Sequence, residues 1–325
     1  MNLMKSPLFP CFALLLGLAA VAVADEVYVP ANTPTTGRLN SFPYGSAGTE
    51  WRYHLVYNAA LLGSRPFVVN EIAFSPSGTG KFTAPRFEVR MSHTTAATSA
   101  TFATNLPNPV TVLSTTNYTW TTTDKAWSPI GLTGVFAYNG VDRLTVEIRI
   151  MGSARSGFAG TCYSQPGYHD RVWNYGAGAW NAATGTVGLT SGLKTRFTVS
   201  DARLILSGTG RVGTTVNLDL LAAPDAGKVY QVGTSLGGGP IPIGNRTLGL
   251  SPDALLVISV TGVLPNVFQS YTGRLDGSGK AQAKLAIPNF PVLTGVRLYN
   301  AFLTVDANAP EGISLISPTA LLTVQ

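Results

Sequence analysis

Apolar and polar residues alternate with a period of two along most of this chain. In residues 144–150, Leu144, Val146, Ile148 and Ile150 are separated by Thr145, Glu147 and Arg149, which predicts a strand with an apolar inner face and an outer face carrying Glu147 and Arg149. Residues 86–91 read the same way, with Phe87, Val89 and Met91 inward and Glu88 and Arg90 outward. If the two strands are antiparallel neighbours, these charges pair across them. Further short runs rich in Val, Ile, Leu, Phe and Thr occupy residues 67–74, 110–113, 196–199, 204–206, 216–220, 228–232, 284–287, 297–305 and 320–324. Turn signals bound them, among them Ser75-Pro76-Ser77-Gly78, Tyr138-Asn139-Gly140 and Asp276-Gly277-Ser278-Gly279, the last read as a hairpin turn. Beyond the first residues no segment sustains a helical period for three turns. The pattern predicts an all-β chain of two β-sandwich, jelly-roll-like units.

The first 24 residues break this pattern. Lys5, the apolar run 8–23 and the small-x-small site Ala22-Val23-Ala24 before Asp25-Glu26 predict a signal peptide over residues 1–24 and export of the remainder. A retained membrane anchor is the alternative, but the run falls short of the roughly 20 residues of a span. No membrane span is expected in the mature chain. Composition then shifts near residue 202: all five Trp and all three His precede it, and Leu, Val, Ile, Pro and Gly dominate after it. This predicts an extended lead-in at 25–37, an N-terminal sandwich at 38–202 and a C-terminal module at 203–325. The module's strands are expected to include Leu218, Leu220, Val257, Leu285, Leu298 and Val305.

Charged residues make up 12% of the chain, about half the usual share. The polar surface must therefore come from Thr, Ser and Asn. The net charge is +6, but Lys and Arg are scattered without a run or a helix to carry them, so no nucleic-acid partner is expected. Cys162 is the one cysteine outside the leader. No intrachain disulfide can form in the mature chain, although its compartment is oxidising.

Several motifs invite a chemical reading and fail a local test. Gly208-Thr209-Gly210-Arg211-Val212-Gly213 has dinucleotide-loop spacing, yet Thr215 to Leu220 alternates as a strand where a helix is required. Gly233-Thr234-Ser235-Leu236-Gly237 has nucleophile-elbow spacing, yet no histidine follows Ser235 and Gly237-Gly238-Gly239-Pro240 cannot start a helix. Ser235 is expected in a loop. Gly277-Ser278-Gly279-Lys280 lacks phosphate-loop spacing, and Ala281 stands where Ser or Thr is needed. Cys162, His169 and Asp170 supply a nucleophile, a base and an orienting carboxylate within nine residues. A buried, inert thiol is the competing account. As metal ligands Cys162 and His169 stand alone, with His54 and His93 distant in sequence and read as strand or turn residues. Neither a metal nor a cofactor is expected.

One segment stands out for binding. Residues 153–188 interleave glycines with Phe158, Cys162, Tyr163, Tyr168, Arg171, Trp173, Asn174, Tyr175, Trp180 and Asn181. In one reading Tyr163, Tyr168, Arg171, Trp173, Tyr175, Trp180 and Asn181 line a groove for sugar rings or a partner chain. In the other, residues 168–175 are another strand with Trp173 in the core. Alternation puts Arg171, Trp173 and Tyr175 on one face and Val172 and Asn174 on the other.

The stretch Gly239-Pro240-Ile241-Pro242-Ile243-Gly244, with Phe268-Gln269, Gly273-Arg274-Leu275-Asp276-Gly277-Ser278-Gly279-Lys280-Ala281, Ile287-Pro288-Asn289 and Arg297-Leu298-Tyr299-Asn300-Ala301-Phe302, resembles a C-terminal β-sandwich module of many exported bacterial proteins. The front half, with Phe136-Ala137-Tyr138-Asn139-Gly140, is similar to jelly-roll-like domains of bacterial surface proteins. The resemblance implies export and architecture and transfers no functional residue. The expectation is a secreted or cell-surface binding or adhesion protein without catalysis, contacting polysaccharide or a cell-surface protein through its N-terminal domain. A self-assembling structural protein is the alternative. An extracellular hydrolase ranks below both, for want of paired acids, a correctly ordered base or a metal cluster.

Overall fold

A computed structural model of the chain describes residues 25–45 and 49–325. The signal-peptide expectation lies outside them. The chain is all-β, with two short α-helices and a few 3-10 turns among the described residues. The front part is built from β1 (Asp25–Val29), β2 (Trp51–Tyr57), β3 (Phe67–Phe74), β4 (Gly80–Thr94), β5 (Val110–Thr122), β6 (Arg143–Met151), β7 (Asp170–Tyr175), β8 (Thr186–Gly188) and β9 (Thr195–Ser200). One antiparallel sheet runs β1, β9, β3. The other runs β4, β6, β2, β7, β8, with β5 also on β4.

The inner faces follow from alternation. Phe87, Val89 and Met91 of β4, Leu144, Val146, Ile148 and Ile150 of β6, and Trp51, Tyr53, Leu55 and Tyr57 of β2 are all fully buried in one cluster. Phe67, Val69, Ile72 and Phe74 of β3 and Phe197 and Val199 of β9 complete it from the other sheet. The parity of β3 changes between Val69 and Ile72, where its ladder with β9 shifts register at a bulge.

The C-terminal strands are β10 (Arg203–Ser207), β11 (Thr215–Leu221), β12 (Val229–Ser235), β13 (Lys280–Ala286) and β14 (Arg297–Val305). Strands β10, β11 and β13 form one sheet and β12 and β14 another, around a second cluster with Leu204, Leu218, Leu220, Val232, Leu285 and Phe302. No sheet joins strands from both sides of residue 202 among the described residues. A small seam of Val68, Ala137, Leu221 and Ala223 packs the two parts together.

Three expectations need correction, while the lead-in begins as a strand: β1 pairs along β9 from Asp25 opposite Val199 to Val29 opposite Thr195. The buried Lys194 then fastens Thr33 and Thr36, donating to Thr33 O at 2.6 Å, Thr33 Oγ1 at 2.9 Å and Thr36 Oγ1 at 2.6 Å. Val257 lies on no strand but on a helix, Ala254–Thr261, and is 57% exposed. Asp253 caps that helix by accepting from the Leu256 N–H at 3.0 Å, and Gly262 ends it in the left-handed conformation. Val305 is exposed at the end of β14. The turn at Asp276 is not a hairpin, because Thr272–Arg274 before it pairs with β12 whereas β13 after it pairs with β11. Its carboxylate nevertheless organises the turn, accepting from the N–H groups of Ser278 and Lys280 at 2.8 and 2.9 Å. Finally, Glu88 and Glu147 do not face solvent: both are buried beneath chain that crosses the outer face of the sheet.

Because the apolar cluster of residues 202–324 is its own, a 203–325 fragment is expected to melt cooperatively, with the seam residues Ile205, Leu221 and Ala223 newly exposed. Calorimetry of that fragment checks this, and a non-cooperative trace contradicts it.

Candidate ligand-binding site

Two charged rows cross the outer face of the larger front sheet. Register places Glu147 between Arg90 and His54, and Arg149 between Glu88 and Arg52. Glu147 is fully buried and accepts from Arg52 Nε at 2.7 Å, His54 Nε2 at 2.9 Å and Arg90 Nε at 2.5 Å. Burial alone would raise its pKa. The His54 hydrogen bond and the Arg52 and Arg90 charges overcome that and hold the carboxyl at about 2. Burial lowers the His54 pKa against the pull of Glu147, whose carboxylate its Nε2 meets.

These side chains hold the segment that covers them. Arg52 Nη1 donates to Ala182 O at 2.6 Å. Arg149 donates from Nε to Trp180 O at 2.9 Å and from Nη2 to Asn181 Oδ1 at 3.0 Å, while its Nη1 meets Glu88 at 3.0 Å. The Trp180 ring lies against both Arg86 and Arg149, each guanidinium carbon 4.4 Å from its centre. Phe102 sits over Arg52 at 4.5 Å and against His54 at 4.7 Å.

The same segment then turns the sheet edge and forms a wall of a cleft. Trp173, Asn174 and Tyr175 of β7 and the adjoining Thr184, Gly185 and Thr186 line an open cleft of about 210 Å³, Thr186 being the partner of Trp173 in the β7–β8 ladder. Asn174 Nδ2 donates to Thr184 O at 2.9 Å, and Gly185 N donates to Ala100 O at 2.9 Å. Gly185 is required there, since a Cβ would stand 2.6 Å from Trp173 O. The other wall is aromatic. Tyr175, 57% exposed, stacks on buried Trp51 with ring centres 5.1 Å apart and planes 23° apart. Phe42 backs both, 4.9 Å from Trp51 and 6.0 Å from Tyr175, and lies 5.6 Å from Trp173. Arg171 stacks over Trp173 at 4.5 Å and Phe42 at 5.5 Å. Arg171, Trp173 and Tyr175 thus share one face through their common contact with Phe42.

The structure therefore divides the seven candidate residues. Trp173 and Tyr175 line the cleft, and Arg171 adjoins it. Trp180 is 4% exposed, clamped with Asn181 against Arg149 on the opposite face of the sheet, so its ring offers no platform. Tyr163 lies on Cys162–Ser164, which pairs with Arg38–Asn40, and neither it nor Tyr168 lines the cleft. Sequence reasoning missed Phe42, Trp51 and the Thr184 to Thr186 wall. The alternation Trp51, Tyr53, Leu55, Tyr57 was the available signal for Trp51.

Other motifs resolve into structure. Cys162 is fully buried, which pushes its thiol well above the ordinary range. The His169 ring stacks on Tyr57 at 4.5 Å, and the Asp170 carboxylate accepts from Thr98 Oγ1 at 2.5 Å and Thr190 N at 2.8 Å. Ser235 lies at the end of β12, not in a loop; it is buried, and its Oγ donates to Gly237 O at 2.7 Å. The Gly208 to Gly213 turn leads into β11, with Gly208, Gly210 and Gly213 at positive φ. Among the described residues no three His, Cys, Asp or Glu side chains cluster as metal ligands, and no helix is long and apolar enough to cross a membrane. No protein-family model matches the chain, and no curated protein matches it either. The resemblance to exported β-sandwich modules rests on the quoted motifs alone.

Two predictions follow from this geometry. Trp180→Ala is expected to cost about 3–5 kcal/mol of stability, whereas Tyr175→Ala costs about 0.5–1.5 kcal/mol, the worth of an exposed aromatic stack. Denaturant melts of the two variants separate them. Stability is also expected to fall with acid in two windows. His169 is buried and lowered from 6.5 to about 4, so the unfolded chain takes up its proton first. That linkage removes about 3 kcal/mol as pH drops from 6.5 to 4. Glu147, depressed from 4.5 to about 2, contributes stability above pH 4.5 that is lost as pH falls through 2. His169→Phe, which keeps the ring on Tyr57, should flatten the upper window in unfolding free energies measured between pH 7 and 4.

Proposed function

We propose that this is an exported, non-catalytic binding protein of the cell surface or its surroundings, made of two β-sandwich units, the front one jelly-roll-like. Its front unit contacts glycan through the cleft between Tyr175 and Thr184 to Thr186. One observation carries the reading: an exposed tyrosine ring, stiffened from behind by Trp51 and Phe42, lies beside the hydroxyl and amide groups of Thr184 to Thr186 in one open cleft. Sugar rings present an apolar C–H face and a polar rim, and that pairing of an aromatic shelf with short polar groups suits both. The leader-like sequence of residues 1–24 and the sparse charge support export.

The second reading, a surface protein that assembles with its own copies, is favoured by β5. This 13-residue strand pairs with β4 and with no other strand among the described residues.

A glycan array probed with the mature chain tests the first reading. Saturable binding to a polysaccharide is expected, weakened about tenfold or more by Tyr175→Ala with little change in Tm. Absence of any glycan binding, or a Tyr175→Ala chain that binds as tightly as the parent, rejects it. Ordered, concentration-dependent assembly without ligand would establish the second.

A further inference from the structure

The C-terminal part holds a cavity that the cleft reading does not use. It measures about 250 Å³ and is walled by Leu255 and Ile258 of the Ala254–Thr261 helix, by Leu285 and Ile287 at the end of β13, and by Val296 and Leu298 at the start of β14. Its one polar lining residue is Thr234. That hydroxyl is already committed, donating to Asn300 Oδ1 at 2.7 Å and lying 2.8 Å from the Tyr271 hydroxyl. Any polar group placed inside would lose its water without gaining a partner.

The nearest charges, Asp253, Lys284 and Arg297, flank the segments that build the wall and lie outside them. No Asp, Glu, Lys or Arg occurs in residues 254–273 or 285–296, the two segments that supply most of the wall. Apart from Ser259, which accepts from Thr234 N, and Thr261, the helix carries only apolar residues, although only one side can face the cavity. Val257, Val263 and Leu264 on and after it, and Phe290 and Val292 beside Leu293, remain exposed, up to 84% for Val292. Exposed aliphatic residues grouped along both segments that bound an apolar cavity mark a binding mouth more than ordinary surface. An engineered cavity of about 150 Å³ lined by similar residues stays dry and admits benzene. This one has room for a longer aliphatic occupant.

We propose that the cavity binds the alkyl chain of an uncharged amphiphile, taken up as a single molecule with its polar end at the mouth. The match is one of charge and chemistry: a neutral, non-hydrogen-bonding lining selects a neutral, non-hydrogen-bonding chain. This proposal is independent of glycan binding at Tyr175 and shares no residue with it.

The test uses the full mature chain, the fluorescent neutral probe N-phenyl-1-naphthylamine, and 1-decanol as competitor. Saturable uptake of the probe at one site and its displacement by 1-decanol are expected. Ile258→Phe and Val296→Phe, each filling the cavity, should weaken 1-decanol binding about tenfold or more while leaving Tm at or above that of the parent. In the unaltered chain, nuclear Overhauser contacts from 1-decanol to the Ile258 and Leu285 methyl groups give a reading that needs no variant. The proposal is overturned by any of three results: no saturable binding of probe or decanol; bound decanol without those contacts; or association only with phosphatidylcholine vesicles, which would make the exposed aliphatic residues a membrane-contact patch.

Discussion

A single buried carboxylate sets terms for much of the front half. Glu147 has no solvent contact, and an ion so placed is tolerable only where countercharge and hydrogen bonds replace its water. Arg52, Arg90 and His54 do so from the strands on either side, each brought opposite or next to Glu147 by the register of β4, β6 and β2. A slip of one residue in either ladder would point these groups into the aromatic core instead. The ion cluster therefore acts against wrong pairings as well as within the right one, at sites where apolar strands alone would discriminate weakly.

Covering that cluster has a cost in chain, and the cleft is its by-product. The guanidiniums of Arg52 and Arg149 use their remaining donors on the carbonyls of Ala182 and Trp180, which lays the crossing segment flat over the charges. From there the chain must turn the edge of β7, and Gly185 lets it pass within van der Waals reach of Trp173. The wall of the cleft is thus positioned from the far side of the sheet, by residues that no ligand in the cleft would touch.

Much of the fold was legible because period-two alternation reports faces directly. Charge pairing between the runs 86–91 and 144–150 was expected if the two were antiparallel neighbours; they are, and Glu88 meets Arg149 while Arg90 meets Glu147. Their burial was not legible: alternation says which face a side chain takes, never what is laid on top of it. The Ala254–Thr261 helix escaped for a related reason, since a helix almost wholly apolar has no period to detect, and only Asp253 and Gly262 signalled its ends. At the candidate site, Trp173 and Tyr175 were visible as aromatics at alternate positions, but Phe42 and Trp51 lie more than a hundred residues earlier in the chain. The place of Trp180 was not legible, because composition cannot distinguish an aromatic ring that meets solvent from one held between two guanidiniums.

The sealed position of Cys162 gives the protein an internal clock. Its sulfur is shut within the aromatic cluster, and burial raises its pKa, so a thiol reagent can react only after the packing around it opens. The labelling rate at Cys162 in unaltered protein consequently reads how often that opening occurs, on the native side of any denaturation curve. Cross-linking through this sulfur would likewise mark molecules that had already opened.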